Sequence, residues 1–363
     1  MPLPLSSPPK RICILRLSAL GDITHVLPTL RTFQHHWPDT RITWVTGKTE
    51  YALVKDIPDI EFIIFDKSAG AAAYFDIRRQ LKNHQFDVLL HMQLAIRASL
   101  LCALIPARIK LGFDKARAKD LQWLFTNHQI KPSSLQQHVV DSFLEFPKFF
   151  GLTPVMQWDL PVSDAALKNV TQLVSHQQIS TDVRNKKILV INPCAVAKSR
   201  NWRNWHAAGY AAVANHAASQ LGMLVVLTGG RSKLETDTAQ AIASLCEIKP
   251  VNLVGKTTIS ELVAILSMAR VVIAPDTGPT HIANALNTPV IGLYAATNPD
   301  RAGPYRFQEY VVNLYPTALE KYYGLSVDDA PWGKRIRNDE CMSLIQPDAV
   351  IRTLEKVLVD YQD

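Results

Sequence analysis

The segment APDTGPTHIANAL, residues 274–286, contains the densest group of side chains suited to binding a phosphorylated ligand. An apolar stretch that predicts a strand precedes it, and PTHIANAL predicts the start of a helix. N–H groups at a helix start bind anions, and Asp276 can accept hydrogen bonds from sugar hydroxyls. Thr277 and His281 add polar groups, and Gly278 allows close approach. This pattern favours a ligand site over the alternative, a helix that Asp or Thr merely caps.

A second segment of this kind is LRLSALGDITH, residues 15–25. The apolar stretch RICILRL predicts a strand, and a turn of small residues ending in Gly21 and Asp22 leads into a helical pattern. Strand–turn–helix connections are where open α/β sheets bind ligands. Asp22 therefore either faces a ligand or caps the helix, and the residues alone leave both roles open.

Two further loops follow predicted strands in the second half of the chain. NPCAVAKSRNWRNW, residues 192–205, contains Lys198, Arg200 and Arg203, which suit a diphosphate or form a solvated basic loop. LTGGRSKLE, residues 227–235, ends in Glu235, which either accepts from ribose hydroxyls or occupies the first turn of a helix.

Residues 95–119 are rich in cations and contain one acid, Asp114. The basic residues of this segment are Arg97, Arg108, Lys110, Lys115, Arg117 and Lys119. The segment lacks the interleaved aromatic residues of a groove for single-stranded nucleic acid. With Arg16 and Arg31 it predicts an anion site, and the alternative is a solvated cationic face.

Several kinds of chemistry find no support in the sequence. It contains no GxGxxG, HExxH or GxSxG pattern, which disfavours NAD or FAD binding, a zinc protease site and a serine nucleophile elbow. VGKTT at residues 254–258 resembles a phosphate loop, but Pro250 stands where the first glycine is needed. The five cysteines are scattered without a CxxC pair, so we expect a reducing compartment and no metal site.

Length and charge narrow the function class further. The 363 residues predict two domains, and a net charge of +7 favours anionic partners. Nucleic acid is disfavoured because the basic residues neighbour sugar-phosphate motifs. The N-terminus MPLPLSSPPKR does not resemble a signal peptide, and no apolar run is long enough for a membrane span. We therefore expect a cytoplasmic protein.

The elements that position these motifs alternate between strands and helices. Helical patterns cover residues 23–35, 71–83, 97–104 and 137–150, and Gly151 is a plausible helix stop. Repeated alternation predicts an α/β fold with two parallel, doubly wound, Rossmann-like domains. The predicted domains are residues 1–165 and 186–345. Residues 346–363 are predicted to form an amphipathic helix that packs back on the N-terminal domain.

Taken together, these motifs resemble glycosyltransferase family 9, the lipopolysaccharide heptosyltransferases. The resemblance rests on ILRLSALGDITHVLPTL, on APDTGPTHIANALNTPVIGLYAATNPDRAGPY and on the closing CMSLIQPDAVIRTL. SLQQHVVDSF resembles a helix of the heptosyltransferase I branch. The resemblance implies a GT-B fold with a central cleft. It also implies metal-independent, inverting transfer of heptose from ADP-heptose to Kdo on lipid A, without a cofactor.

Site residues follow from the resemblance position by position. Asp22 matches the general base of the family. The residues implied to bind the donor are Lys198, Arg200, Glu235, Asp276, Thr277, Gly278 and His281. Those implied to bind the acceptor are Arg16, Arg117, Lys119 and His138. The chain departs from the family at Ala195 and Val196, where some members have threonines that donate to the diphosphate.

Three alternatives to this function stay open at the level of sequence. The enzyme performs another heptosyltransferase step, or it uses a different nucleotide-sugar, or the chain binds such compounds without catalysis. A lipid-anchored acceptor further implies peripheral contact with the cytoplasmic face of the inner membrane. The sequence assigns no role to residues 315–340 and leaves the oligomeric state open.

Overall fold

The computed structural model describes residues 5–131, 134, 136–177, 187–195 and 201–361. The chain divides into two compact units, Met1–Pro161 and Val162–Asp363. The boundary lies four residues before the predicted end of the first domain at 165. The helix Asp164–Gln177, most of which lies between the two predicted domains, belongs to the second unit.

The first unit contains a six-stranded parallel sheet with helices on both faces. Its strands are β1 (Arg11–Leu15), β2 (Arg41–Gly47), β3 (Ile60–Phe65), β4 (Phe86–His91), β5 (Ala107–Gly112) and β6 (His128–Gln129). Its helices are α1 (Leu20–His36), α2 (Lys48–Val54), α3 (Ala72–Gln80), α4 (Ile96–Leu104) and α5 (Val139–Phe149). Strand β1 is apolar because helices cover both faces of the sheet. Cys13 and Leu15 belong to the core that includes residues of α3 and α4.

The second unit repeats this architecture. Its strands are β7 (Ile188–Ile191), β8 (Leu224–Leu227), β9 (Val251–Asn252), β10 (Val271–Pro275), β11 (Val290–Tyr294) and β12 (Val312–Asn313). Its helices are α6 (Asp164–Gln177), α7 (Ala207–Ser219), α8 (Lys233–Leu245), α9 (Ile259–Met268), α10 (Gly278–Ala285), α11 (Pro299–Ala302), α12 (Tyr315–Tyr323) and α13 (Pro347–Asp360). Helix α6 packs against α9, and α13 packs against α7, β11 and β12. The packing of α13 on the first domain stays a prediction.

Strand order places the ligand motifs of both units. The first sheet has the order β3-β2-β1-β4-β5-β6 and the second the order β12-β11-β10-β7-β8-β9. In each sheet the order reverses between two neighbours, β1 and β4 in the first and β7 and β10 in the second. Open α/β sheets bind ligands beside such a reversal, at the carboxyl ends of the strands. The Gly21-Asp22 turn follows β1, and Asp276 follows β10.

The segment without a predicted role, residues 315–340, packs on the second sheet. After α12, Gly324 ends the helix in the left-handed conformation at φ 63°. The chain then returns, and the Ile336 N–H donates to the Ala296 carbonyl just beyond β11 at 2.9 Å. The Tyr315 hydroxyl donates to the Lys334 carbonyl at 3.0 Å. These contacts give the segment a packing role.

The described residues bear on the predictions about membrane spans and about cysteines. Among them no helix is long and apolar enough to cross a membrane. All five cysteines lie in the described part of the chain, where they are buried and form no disulfide.

Candidate active site

Arg16 and Asp22 form an ion pair at the switch point of the first sheet. Arg16 Nη2 lies 2.7 Å from Asp22 Oδ2. Helix α1 begins at Leu20, three residues before the predicted start, so Asp22 lies in its first turn. There Oδ2 also accepts from the Ala19 N–H at 3.2 Å. Asp22 therefore both caps the helix and stays 39% exposed, so the two roles that the sequence left open are compatible.

Gln93 fixes the backbone of the Gly-Asp turn. It follows β4, the neighbour of β1, and its Oε1 accepts from the N–H groups of Leu17 at 2.7 Å and Ser18 at 3.1 Å. Gln122 is fully buried and donates through Nε2 to the carbonyl of His91 at 2.9 Å. Neither glutamine was predicted as a site residue, because a single glutamine after a strand gives no local signal.

Arg16 is held from several sides. Its Nη1 donates to the Met92 carbonyl at 2.6 Å, and its guanidinium lies 5.1 Å from the centre of the Phe143 ring. Burial raises the pKa of the nearby Glu50 carboxyl, and the charges of Lys67 and Arg16 offset only part of this effect. Arg16 is thus a fixed cation that orients Asp22.

Close approach at this turn requires a glycine at the end of β2. The Gly47 N–H donates to the Leu17 carbonyl at 3.0 Å. A Cβ atom on Gly47 would lie 2.5 Å from that same carbonyl oxygen and 2.5 Å from Glu50 Oε2. A larger residue would therefore push the Gly-Asp turn away from β2.

The other predicted acceptor residues differ in their surroundings. Arg117 pairs with Asp114 and, at 2.5 Å, with Glu145, and its guanidinium lies 5.7 Å from the Phe113 ring. Phe113 in turn contacts Phe143, the ring beside Arg16, with centroids 6.3 Å apart. The two arginines therefore flank one aromatic pair.

Lys119 and His138 differ in their exposure to solvent. Lys119 is exposed. His138 is buried at the N-cap of α5, where Nδ1 accepts from the Val140 N–H at 3.1 Å and the ring contacts His25 edge to face. The geometry gives His138 a capping role, and its predicted contact with the acceptor stays a prediction.

Asp276 and Arg203 are joined at the switch point of the second sheet. Arg203 Nη1 donates to the Asp276 carbonyl at 2.7 Å and lies 3.4 Å from Oδ2. His281 Nε2 lies 3.7 Å from Oδ1. Burial raises the pKa of Asp276, but hydrogen bonding from His281 and the charge of Arg203 outweigh it and lower the pKa to about 2. Asp276 is therefore an ionised carboxylate that holds Arg203 and His281 beside it.

Helix α10 begins beside this carboxylate. Thr277 is its N-cap and makes no side-chain capping hydrogen bond, while Gly278 and Pro279 open the first turn. The Thr280 hydroxyl donates to the Pro275 carbonyl at 2.6 Å. N–H groups at such a start, with the positive end of the helix dipole, suit a phosphate.

Glu235 shapes the loop between β8 and α8. It accepts from the N–H of Gly230 at 2.6 Å and from the Ser232 hydroxyl at 2.6 Å, and the Glu235 N–H bonds back to that hydroxyl. This is a capping box, the alternative role that the sequence allowed for Glu235. Its contact with a ribose stays a prediction.

Lys198 and Arg200 lie outside the described residues, as does Val196. The flanks of their loop are held by asparagines. Asn204 Oδ1 accepts from the Ala195 N–H at 2.8 Å, and Asn201 Oδ1 accepts from the Arg203 N–H at 3.1 Å. The described residues contain no cluster of three or more His, Cys, Asp or Glu side chains suited to a metal ion.

Solved structures match the architecture over nearly the whole chain. A glycosyltransferase family 9 structure from Veillonella parvula has a TM-score of 0.80 at 20% identity and covers 97% of this chain and 98% of its own. The Escherichia coli heptosyltransferase WaaC, solved with ADP, has a TM-score of 0.69 at 20% identity, with 96% and 99% coverage. Two Rossmann-like units with charged residues at both switch points define a glycosyltransferase fold of the GT-B type.

The sequence comparisons identify the family. Residues 74–321 match the model of glycosyltransferase family 9 (heptosyltransferase). The chain is 38% identical to the "Lipopolysaccharide core heptosyltransferase OpsX" of Haemophilus influenzae over 98% of this chain and 99% of that protein. It is 26% identical to "Lipopolysaccharide heptosyltransferase 1" of Salmonella typhimurium, with 81% and 91% coverage. The chain belongs to glycosyltransferase family 9 and is an enzyme of the transferase class.

Proposed function

We propose that this enzyme transfers L-glycero-D-manno-heptose from ADP-heptose to a Kdo residue of the lipopolysaccharide inner core, with inversion at the anomeric carbon. The relative at 38% identity, named a lipopolysaccharide core heptosyltransferase, is the observation that carries the proposal. The charged residues at both switch points supply groups for each half of the reaction. Relatives named lipopolysaccharide heptosyltransferase 1 and lipopolysaccharide heptosyltransferase 3 also match, so the choice of step is part of the proposal.

Asp22 acts as general base through one of its two oxygens. Its described contacts, with Arg16 and with the Ala19 N–H, both involve Oδ2. This leaves Oδ1 to take the proton of the attacking acceptor hydroxyl as the bond to the anomeric carbon forms. Arg16 orients the carboxylate, and Gln93 holds the turn in place, so that the oxygen meets the hydroxyl in a fixed geometry.

The second unit holds the donor and stabilises the departing ADP. Negative charge develops on the diphosphate as the glycosidic bond breaks. The N–H groups at the start of α10 are fixed donors toward such charge, and Lys198 and Arg200 add cations. Asp276 holds Arg203 and His281 in position next to this helix start. The mechanism uses no metal ion and no cofactor.

The acceptor places the reaction at the cytoplasmic leaflet of the inner membrane. Lipid A anchors Kdo in a bilayer, so the enzyme works in the cytoplasm as a peripheral membrane protein. The net charge of +7 supports this location, since basic residues favour anionic lipid surfaces.

Transfer assays test the proposal directly. Purified enzyme is incubated with ADP-heptose and lipid A that has one or two Kdo residues. The masses of the products are then measured by mass spectrometry. The proposal expects a product heavier by one heptose. Transfer only to an acceptor that already contains heptose would assign a later step, and transfer only from another nucleotide-sugar would replace the donor.

A further inference from the structure

An exposed apolar surface lies on the first unit, in α4 and in the loop after β5. The exposed fractions of its five large side chains lie between 40% and 58%. We name it the α4 face and define it by Ile96, Leu100, Leu121, Trp123 and Leu124. Large apolar side chains that are exposed singly are normal on a protein surface. A cluster of them is unusual and marks an interaction site.

Hydrogen bonds join the loop to α4 at both ends, so the exposed residues belong to two neighbouring elements. The Ile96 N–H donates to Asp120 Oδ2 at 3.2 Å, next to Leu121. The Cys102 thiol donates to the Phe125 carbonyl at 3.1 Å, just after Leu124. Ile96 and Leu100 are one helical turn apart and share a side of α4.

The loop is built to present its apolar side chains outward. Leu121 adopts the left-handed conformation at φ 58°, which costs energy for a branched side chain. The next residue, Gln122, is fully buried and bonds to the carbonyl of His91 and to the N–H of Phe113. Leu121 and Trp123, on either side of this anchor, are held at the surface.

Basic residues surround the apolar ones. Arg97 and Lys119 are exposed, and the exposed Lys115 lies with its Nζ 5.7 Å from the centre of the Trp123 ring. Residues 96–124 contain six basic and two acidic side chains. Apolar side chains within a cationic border match the chemistry of an anionic bilayer, which offers hydrocarbon beneath a negatively charged surface.

The α4 face also adjoins the Gly-Asp turn. Gln122 Nε2 donates to the carbonyl of His91 and, at 3.4 Å, to that of Gln93. Gln93 in turn binds the N–H groups that precede Asp22. Two glutamines thus connect the exposed loop with the proposed general base.

We infer that the α4 face is a membrane-docking surface that inserts Leu121, Trp123 and Leu124 into the cytoplasmic leaflet and holds the acceptor site at the level of the lipid headgroups. The inference rests on the proposed function for the identity of the membrane. It goes beyond that function by assigning docking to particular residues.

Vesicle co-sedimentation tests the inference without donor or acceptor, so its failure is distinct from a failure of heptosyl transfer. The vesicles contain 30% phosphatidylglycerol in phosphatidylcholine, or phosphatidylcholine alone. The variant combines Leu121→Asn, which suits the left-handed backbone, with Trp123→Ser and Leu124→Ser. The matched control is Leu245→Ser with Ile248→Ser, two residues of the second unit that are 52% and 54% exposed.

Wild-type protein is expected to bind the anionic vesicles and to lose binding in high salt. The triple variant should bind at least about tenfold more weakly, Lys115→Gln a few-fold more weakly, and the control like wild type. Equal binding by the triple variant and wild type, or no binding by wild type, would overturn the inference. Self-association that the triple variant abolishes, without vesicle binding, would assign the face to a second copy instead. An unchanged circular-dichroism spectrum and melting temperature show that the variant is folded.

Discussion

The guanidinium of Arg16 lies against one oxygen of Asp22, with Nη2 2.7 Å from Oδ2. The same oxygen accepts from the Ala19 N–H at the start of α1. Asp22 is thus fixed by two contacts while Oδ1 points to no described partner and the side chain stays partly exposed. A carboxylate in this state can cap the helix and still accept a proton.

Replacing Asp22 with asparagine should strongly lower the rate of transfer and leave donor binding intact. The amide keeps the size and a capping oxygen, but it cannot take a proton. We expect the transfer rate to fall by about 10²–10⁴-fold, while the Kd for ADP by calorimetry stays within about twofold. Asp76→Asn, which breaks an exposed ion pair with Arg79, is the control. If folded D22N protein lost ADP affinity by as large a factor as it lost transfer rate, the assignment of Asp22 as the general base would be contradicted.

Substitution of Arg16 should affect kcat more than donor KM. Arg16→Met removes the partner that orients Asp22, so we expect kcat to fall by about tenfold or more. Arg16→Lys keeps the charge but loses the bond to the Met92 carbonyl, and it should restore part of the rate. Steady-state kinetics with varied ADP-heptose at a saturating acceptor concentration measure both constants. No rescue by lysine together with lower thermal stability in both variants would point to a structural role alone.

Asp276 should stabilise the protein in a pH-dependent way. Its pKa of about 2 in the fold lies below the ordinary value of 3.8, so the ionised form contributes stability above about pH 4. That contribution, about 2 kcal/mol, is lost as the pH falls through 2. Asp276→Asn should therefore be less stable than wild type at pH 7, and the gap should narrow from pH 4 toward pH 2.

Urea unfolding at several pH values measures this gap. The control is Asp237→Asn, which removes an exposed ion pair with Lys233 on α8. The control should change stability by less than about 0.5 kcal/mol. A gap that stays constant between pH 7 and pH 2.5 would contradict the assignment of an ionised Asp276.

Substitutions of Glu235 can separate its role in capping α8 from a role in binding the donor. Glu235→Gln retains the oxygen that accepts from Ser232 but loses the one that accepts from the Gly230 N–H, so the melting temperature should fall less than with alanine. Glu235→Ala should lose about 1 kcal/mol of stability. If Glu235 also binds the ribose of the donor, both variants should raise the KM for ADP-heptose. A normal KM in the stable glutamine variant would restrict Glu235 to its role in the loop.

The alternation of strands and helices was predictable because each element has a strong local pattern. Helix α13 begins at Pro347 as predicted, and Gly151 follows α5 with φ 78° as a helix stop. Helix α1 was predicted to begin at Ile23 and begins at Leu20. The small residues of the turn carry little hydrophobic signal, and the backbone contact to Asp22 extends the helix over them.

Contacts between residues of the site were harder to predict from the sequence than the elements themselves. Asp276 and Arg203 were each singled out, but their contact depends on the neighbouring positions of β7 and β10 in the sheet. Gln93 reaches the Gly-Asp turn for the same reason, because β4 lies beside β1. Capping by His138 was not predicted, since histidine is outside the usual N-cap residues.

We propose above all that this chain adds heptose to Kdo through Asp22. The most direct measurement is mass spectrometry of Kdo-bearing lipid A after incubation with ADP-heptose and either wild-type enzyme or folded D22N protein. We predict a gain of one heptose with the wild type and no gain with the variant over the same time. Equal transfer by D22N, or no transfer by the wild type to any Kdo-bearing acceptor, would contradict the claim.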